Sequence, residues 1–333
     1  MRPAPSFGDI LAARVAERES QIVLGLDPDL GALWPGSDAQ VPVGLSPAQA
    51  AASAILGHCR ALIDAAAPAC VAVKPQLARF EVLGAAGWAA LEAVIAHARG
   101  LGLLVIADGK RGDIDVTARA YAGALIGGID SPFGRIEGLG ADLATVNPLM
   151  GRDAIEPFVS AARQVGAGVL VLVRTSNPGA ADIEDLRLAD SGTVWERIAA
   201  LVDELGAAGV GESGLSDVGA VIGATAPGHL ERARELMASA TFLLPGVGAQ
   251  GGRVEDLAAA FSPGRAGGLV SASRSIADAH RAAGGDPAAA ARAEAERLRE
   301  SAWELSGSAS LRVVRTRASS AVQVHRKVGR EPG

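Results

Sequence analysis

Aromatic side chains are scarce, at 3% of the 333 residues. A core of any size must therefore be built from Ala, Val, Leu and Ile, which suits small-residue helices packed on a buried parallel sheet. Cysteine is equally sparse: Cys59 and Cys70 stand without metal-ligand spacing. Nothing in their placement requires a disulfide, so a reducing cytoplasm is the simpler expectation. No segment carries about 18 uninterrupted apolar residues, and "MRPAPSFGDI" at the start lacks the apolar stretch of a signal peptide. Neither sign of charge dominates. A formal net charge of −6 gives no general attraction to nucleic acid or to an anionic membrane. These absences lead us to expect a soluble, cytoplasmic protein.

Histidine is missing where chemistry would need it. His58, His97, His229 and His280 fall within or beside helical patterns, and His325 lies near the end of the chain. Their expected place is the helix surface, and a metal site or a catalytic imidazole is not indicated. The glycine-rich stretches do not form a dinucleotide fingerprint behind a first strand, so no redox cofactor is indicated either.

What the chain does have is hydrophobic mass, 49% of residues against 20% charged, enough for a large globular core. Short apolar runs alternate with amphipathic segments, the rhythm of repeated βα units. Candidate strands begin at Ile22, Cys70, Leu103, Asp142, Gly168, Val218, Thr241 and Gly267. Segments such as "GWAALEAVIAHARG" and "TVWERIAALVDELGAAG" between them repeat apolar residues at three- and four-residue spacing. The fold class expected is α/β, a (β/α)8 barrel over residues 1–307; periodicity alone leaves a doubly wound open sheet possible. An N-terminal helix near residues 7 to 19 would cap the barrel. Residues 31 to 47, rich in Pro and Gly, read as a loop. The basic stretch 308–333 reads as a loosely ordered C-terminal extension.

In such a barrel the functional residues gather at the C-terminal ends of the strands. Read in order, those ends carry Asp27, Lys74, Asp108 with Lys110, Asn147, Ser176, Gly223, Pro245 and Arg274. Side chains two apart on a strand share a face, so Asp108 and Lys110 point the same way. Neighbouring strands lie about 4.8 Å apart, close enough for Lys74 and Asp27 to join them. Alternation of Asp, Lys, Asp and Lys sets each cation between carboxylates, which favours the charged forms. Asp113 follows just beyond the strand. "PGVGAQGG" after the seventh strand supplies backbone N–H groups, and Arg274 after the eighth supplies a charged fork. Loops after strands seven and eight are the usual phosphate site of barrels, so a phosphorylated small molecule is expected there.

These residues resemble one family. "DGKRGDI" is similar to the Asp-x-Lys-x-x-Asp signature of the orotidine 5′-phosphate decarboxylases. "LGLDP", "VKPQ", "RTSNPG", "LLPGVGAQGG" and "ASRSI" resemble the family's other strand-end motifs in order. The likeness runs from about residue 7 to 305 and is closest to the longer bacterial branch. It implies decarboxylation of orotidine 5′-phosphate to UMP, the last step of de novo pyrimidine synthesis, with no metal or organic cofactor. Lys110 would protonate C6 of the pyrimidine, and Asp108 would face the substrate carboxylate, with Lys74 and Asp113 completing the array. Asp27 would bind the ribose, Ser176 the pyrimidine, and Gln250 with Arg274 the phosphate, beside Pro245. Asp113 and Thr117 would reach into a partner subunit's site, making the enzyme a homodimer.

One departure is Ser273, where many relatives have Gly before the phosphate arginine. Two rivals remain at this point. A Mg2+-dependent sugar-phosphate decarboxylase or aldolase of the same superfamily needs an acidic residue near the position that Lys74 holds. A non-catalytic pyrimidine-nucleotide-binding barrel would not need a proton donor. Arg111, on the opposite strand face from Lys110, is expected to be structural.

Overall fold

The structure, a computed structural model, describes residues 6–328 apart from 40, 190, 226 and 249, with side chains described as far as residue 308. Its strands are β1 (Ile22–Leu26), β2 (Ala72–Pro75), β3 (Leu104–Arg111), β4 (Ile129–Ser131), β5 (Gly134–Ile136), β6 (Leu143–Val146), β7 (Gly168–Arg174), β8 (Val218–Ile222), β9 (Phe242–Pro245) and β10 (Gly268–Ala272). All except β4 and β5 close into one parallel barrel, ordered β1-β10-β9-β8-β7-β6-β3-β2. Closure is made by β1, which pairs with β10 at Ile22↔Val270 and with β2 at Gly25↔Lys74. The (β/α)8 barrel expected from the apolar rhythm is thus the observed fold, and the open sheet is excluded.

Alternation along the strands sorts the apolar residues into two cores. Outward residues such as Ile22, Leu24, Val105 and Ala107 pack under the surrounding helices. Inward residues, among them Val23, Leu104, Ile106, Leu170, Leu243 and Leu269, fill the barrel. The helix Phe7–Arg18 closes the lower end, inserting Phe7, Leu11 and Val15 at four-residue spacing into that inner core. Ser6 caps it by accepting the backbone N–H of Asp9 at 3.3 Å. On β3 the inner series continues upward past Leu104 and Ile106 to Asp108, and the pairing with β6 then slips between Ala107 and Arg111, where Lys110 lies.

The helix Pro47–Ala66 shows why the sequence needs few aromatics. Ser46 and Gln49 form a capping box, Pro47 opens the first turn, and Ala52, Ile55, Cys59, Leu62 and Ala66 are buried along one stripe. Against it lies the long helix Pro287–Val328, which buries Ala291, Ala295, Leu298 and Ala302. Its backbone passes through residue 308 without a break; the last residues of the expected extension, 329–333, lie outside the described ones.

Two sequence readings need correction. The antiparallel hairpin of β4 and β5 had no place in the expected βα series. Its strands are short and exposed, without an apolar stripe to announce them. His58, expected on a helix surface, is buried. Its Nδ1 accepts the backbone N–H of Trp34 at 3.1 Å, and the two rings meet edge to face. Trp34 in turn donates Nε1–H to the carbonyl of Ala277 at 2.8 Å, pinning the loop after β1 over the helix.

Candidate active site

The charged strand ends form one network around Asp108. Its carboxylate is buried, 4% exposed, at the end of the inner core. Oδ2 accepts Lys74 Nζ at 2.6 Å and Gln76 Nε2 at 3.3 Å. Oδ1 accepts Lys110 Nζ at 2.7 Å and Thr145 Oγ1 at 3.0 Å. Lys74 is buried too, whereas the Lys110 side chain is 45% exposed.

These partners decide protonation. Burial alone would push Asp108 up, but Lys74 and Lys110 together draw it down to about 2. Burial likewise opposes the charge on Lys74, and the carboxylates of Asp108 and Asp27 overcome it and raise its pKa. Asp108 is therefore an anion clamped between two ammonium groups and cannot itself serve as a proton donor near neutral pH.

Beside the network opens a cavity of about 720 Å³, lined by Asp27, Lys74, Pro245, Gln250 and Arg274. Its size suits a nucleotide-scale ligand. Among the described residues, Asp27 Oδ1 is buried there with no hydrogen-bond partner. Across the mouth, Ser176 Oγ donates to Gln250 Oε1 at 3.0 Å. Gly223 lets this approach happen: a Cβ there would meet Ser176 Cα at 2.8 Å. The glycine-rich loop turns at Gly246, φ +101°, as only glycine does readily; Ala249 within it lies outside the described residues. Ser273, the departure from the family pattern, is accommodated by Gly25 on the adjacent strand, where a Cβ would meet Ser273 Cβ at 2.6 Å.

Asp113 and Thr117 are not brought to this centre within the one chain. Asp113 Oδ1 accepts the N–H of its neighbour Ile114 at 2.8 Å, and Thr117 is exposed on the helix Asp115–Ala122. Two residues of the network escaped sequence reading. Gln76 lies two after Lys74 and so shares its face, a signal that was available. Thr145 sits two before Asn147 on β6, but one hydroxyl near a strand end carries no signal of its own. Among the described residues, no three His, Cys, Asp or Glu side chains are grouped to hold a metal ion.

Fold and site define a class: a (β/α)8 barrel whose mouth joins a Lys-Asp-Lys network around a buried Asp108 to a glycine-rich loop. The chain belongs to the orotidine 5′-phosphate decarboxylase / HUMPS family, whose model matches residues 20–293. It is 42% identical over 280 residues to the orotidine 5′-phosphate decarboxylase of Rhodopirellula baltica, covering 83% of this chain and 89% of that protein. Against the enzyme of that name from Deinococcus radiodurans it is 42% identical over 273 residues, covering 82% and 89%. Among solved structures, a putative orotidine-monophosphate decarboxylase from Toxoplasma gondii superimposes with a TM-score of 0.75 at 29% identity, over 92% of this chain and 98% of that one.

Proposed function

We propose that this chain decarboxylates orotidine 5′-phosphate to UMP, acting as a carbon-carbon lyase of pyrimidine synthesis in the cytoplasm, without metal or organic cofactor. The observation that carries the reading is Asp108, buried and ionised between Lys74 and Lys110 beside a nucleotide-sized cavity. Arg274, Gln250 and the backbone of the glycine-rich loop would take the phosphate, the Asp27 carboxylate the ribose hydroxyls, and Ser176 the pyrimidine. The substrate carboxylate would then sit against Asp108.

In the reaction, the bond from C6 to the carboxylate breaks, CO2 leaves, and the electron pair stays on C6. The ring offers that pair little delocalisation, so stabilisation must come from charge already in place. The Lys110 ammonium supplies it and then passes a proton to C6. Repulsion between the Asp108 and substrate carboxylates, about 4 kcal/mol at 4 Å with an effective dielectric of 20, is relieved as neutral CO2 departs. Binding energy at the distant phosphate would hold the substrate against it. We weight cationic stabilisation by Lys110 more heavily than this ground-state strain.

The test is an ultraviolet assay of the purified chain with orotidine 5′-phosphate, before and after exhaustive chelation. Turnover that survives chelation is expected. Loss restored by Mg2+ would favour the metal-dependent rival instead. Lys110→Ala should nearly abolish turnover while UMP still binds, and undiminished turnover would remove Lys110 from the mechanism.

A further inference from the structure

Lys110 has a left-handed backbone, φ +46°, which L side chains adopt only where their surroundings hold them. The cause is a slip in the sheet. Pairing of β3 with β6 runs through Ala107↔Ala144 and resumes at Arg111↔Val146, so four steps along β3 oppose two along β6. Lys110 lies in that bulge. Its N–H donates to Thr145 Oγ1 at 2.9 Å, while Asn147 N–H donates to the carbonyl of Arg111 at 2.8 Å.

The Arg111 side chain closes the same turn from behind. Its Nη1 donates to the carbonyl of Gly109 at 3.1 Å, on the other side of Lys110. Its Nη2 pairs with Glu81, on the short helix Ala78–Glu81 that follows the strand of Lys74. Its guanidinium carbon stands 5.7 Å from the ring centre of Tyr121, on the helix that follows β3. One half-buried cation thus ties together the turns after both lysine-bearing strands.

We infer that Arg111, held by Glu81 and Tyr121, is a positioning residue for Lys110. It fixes the bulge that aims the ammonium at the reacting carbon and touches no substrate itself. The inference rests on the decarboxylase reading above. It also separates two charges that are neighbours in sequence: Lys110 meets the reaction, and Arg111 sets where Lys110 stands.

The experiment compares the wild-type chain with Arg111→Met, Arg111→Lys and Glu81→Gln. For each, kcat and KM for orotidine 5′-phosphate are measured, with affinities for UMP and for a UMP analogue bearing an oxyanion at C6. Lys110 gains interaction only with a ligand that is negative at C6. Misaiming it should therefore lower kcat roughly 10–100-fold, leave KM and UMP affinity within about threefold, and weaken the oxyanion analogue in step with kcat/KM. Arg111→Lys should recover part of the loss, and Glu81→Gln should move every quantity in the same direction as Arg111→Met. Unchanged kcat in Arg111→Met overturns the inference, as do equal losses of affinity for the two ligands. If Arg111→Met does not fold, Glu81→Gln, which keeps shape and removes charge, carries the same comparison. A wild-type chain that leaves orotidine 5′-phosphate intact sinks the decarboxylase reading alone, because the ratio of the two affinities still judges the clamp.

Discussion

His58 shows at the scale of one residue how burial turns a side chain into a pH liability. The imidazole is shut beneath Trp34, and desolvation pulls its pKa down to about 4, against an opposing field from Asp278 and a further lowering from His280. An unfolded chain binds this proton near pH 6.5, whereas the native one resists until about 4. Stability is therefore full above pH 6.5 and falls progressively as pH drops toward 4, by about 2 kcal/mol at pH 5. Asp108 acts lower: its depressed pKa supports the fold above 3.8, and that support is lost only as pH falls through about 2. Urea unfolding at pH 7 and pH 5 should show the first effect. His58→Asn, which retains an acceptor for Trp34 N–H and does not titrate, should flatten it. An undiminished pH dependence in that variant would assign the acid loss elsewhere. Sequence pattern placed His58 on a helix correctly and on the wrong face, because Ala-rich helices expose no clear polar stripe against which to judge it.

Arg234 does comparable work at the scale of elements. It leaves the helix Pro227–Leu236, is buried at 8% exposure, and donates to the carbonyls of Met237, Ala238, Ala240, Ala260 and Gly267. Its guanidinium carbon stands 3.8 Å from the ring centre of Phe242. Those carbonyls belong to the approaches to β9 and β10, the strands whose ends carry the glycine-rich loop and Arg274. Burial draws the pKa of Arg234 down to about 9, which still leaves the guanidinium charged at neutral pH, held by five carbonyls and the Phe242 ring. Arg234→Met should lower stability by roughly 3–5 kcal/mol, because buried carbonyls lose their donors. Chemical denaturation measures this, and a change below about 1 kcal/mol would mean that water replaces the guanidinium. The sequence offered no hint of this role, since an arginine in an amphipathic helix reads as surface. The strand ends, by contrast, were legible as a set, because period two on β3 carries the inward face past Ile106 to Asp108, and Lys110 still meets Asp108 across the bulge that follows.

For the whole molecule, the open question of assembly has a direct test. Within one chain Asp113 and Thr117 stand away from the Lys-Asp-Lys network, and the family resemblance implies that they enter the site of a second copy. If so, Lys110→Ala and Asp113→Ala, each nearly inactive alone, should complement when their subunits exchange. Random pairing puts both defects in one site of each mixed dimer and leaves the other intact, so about a quarter of wild-type activity should return. No recovery, with subunit exchange shown independently by mass, would confine Asp113 to its own chain.

Local pattern determined much of this protein by itself. Apolar runs and helical stripes specified alternating strands and helices, and their residue types specified which strand ends would carry charge, because side-chain direction follows from two short backbone periods. Tertiary structure alone decided the rest. Only closure of the barrel brings β10 against β1, and with it Ser273 against Gly25 and Arg274 into the same cavity as Asp27. Only the slipped pairing of β3 on β6 sets Thr145 under Lys110 and Arg111 behind it. Such contacts depend on strand register between segments far apart in the chain, and register is settled by the packing of the whole barrel rather than by any local run of residues. "DGKRGDI" therefore announced its charges in sequence, but their division of labour exists only in the fold.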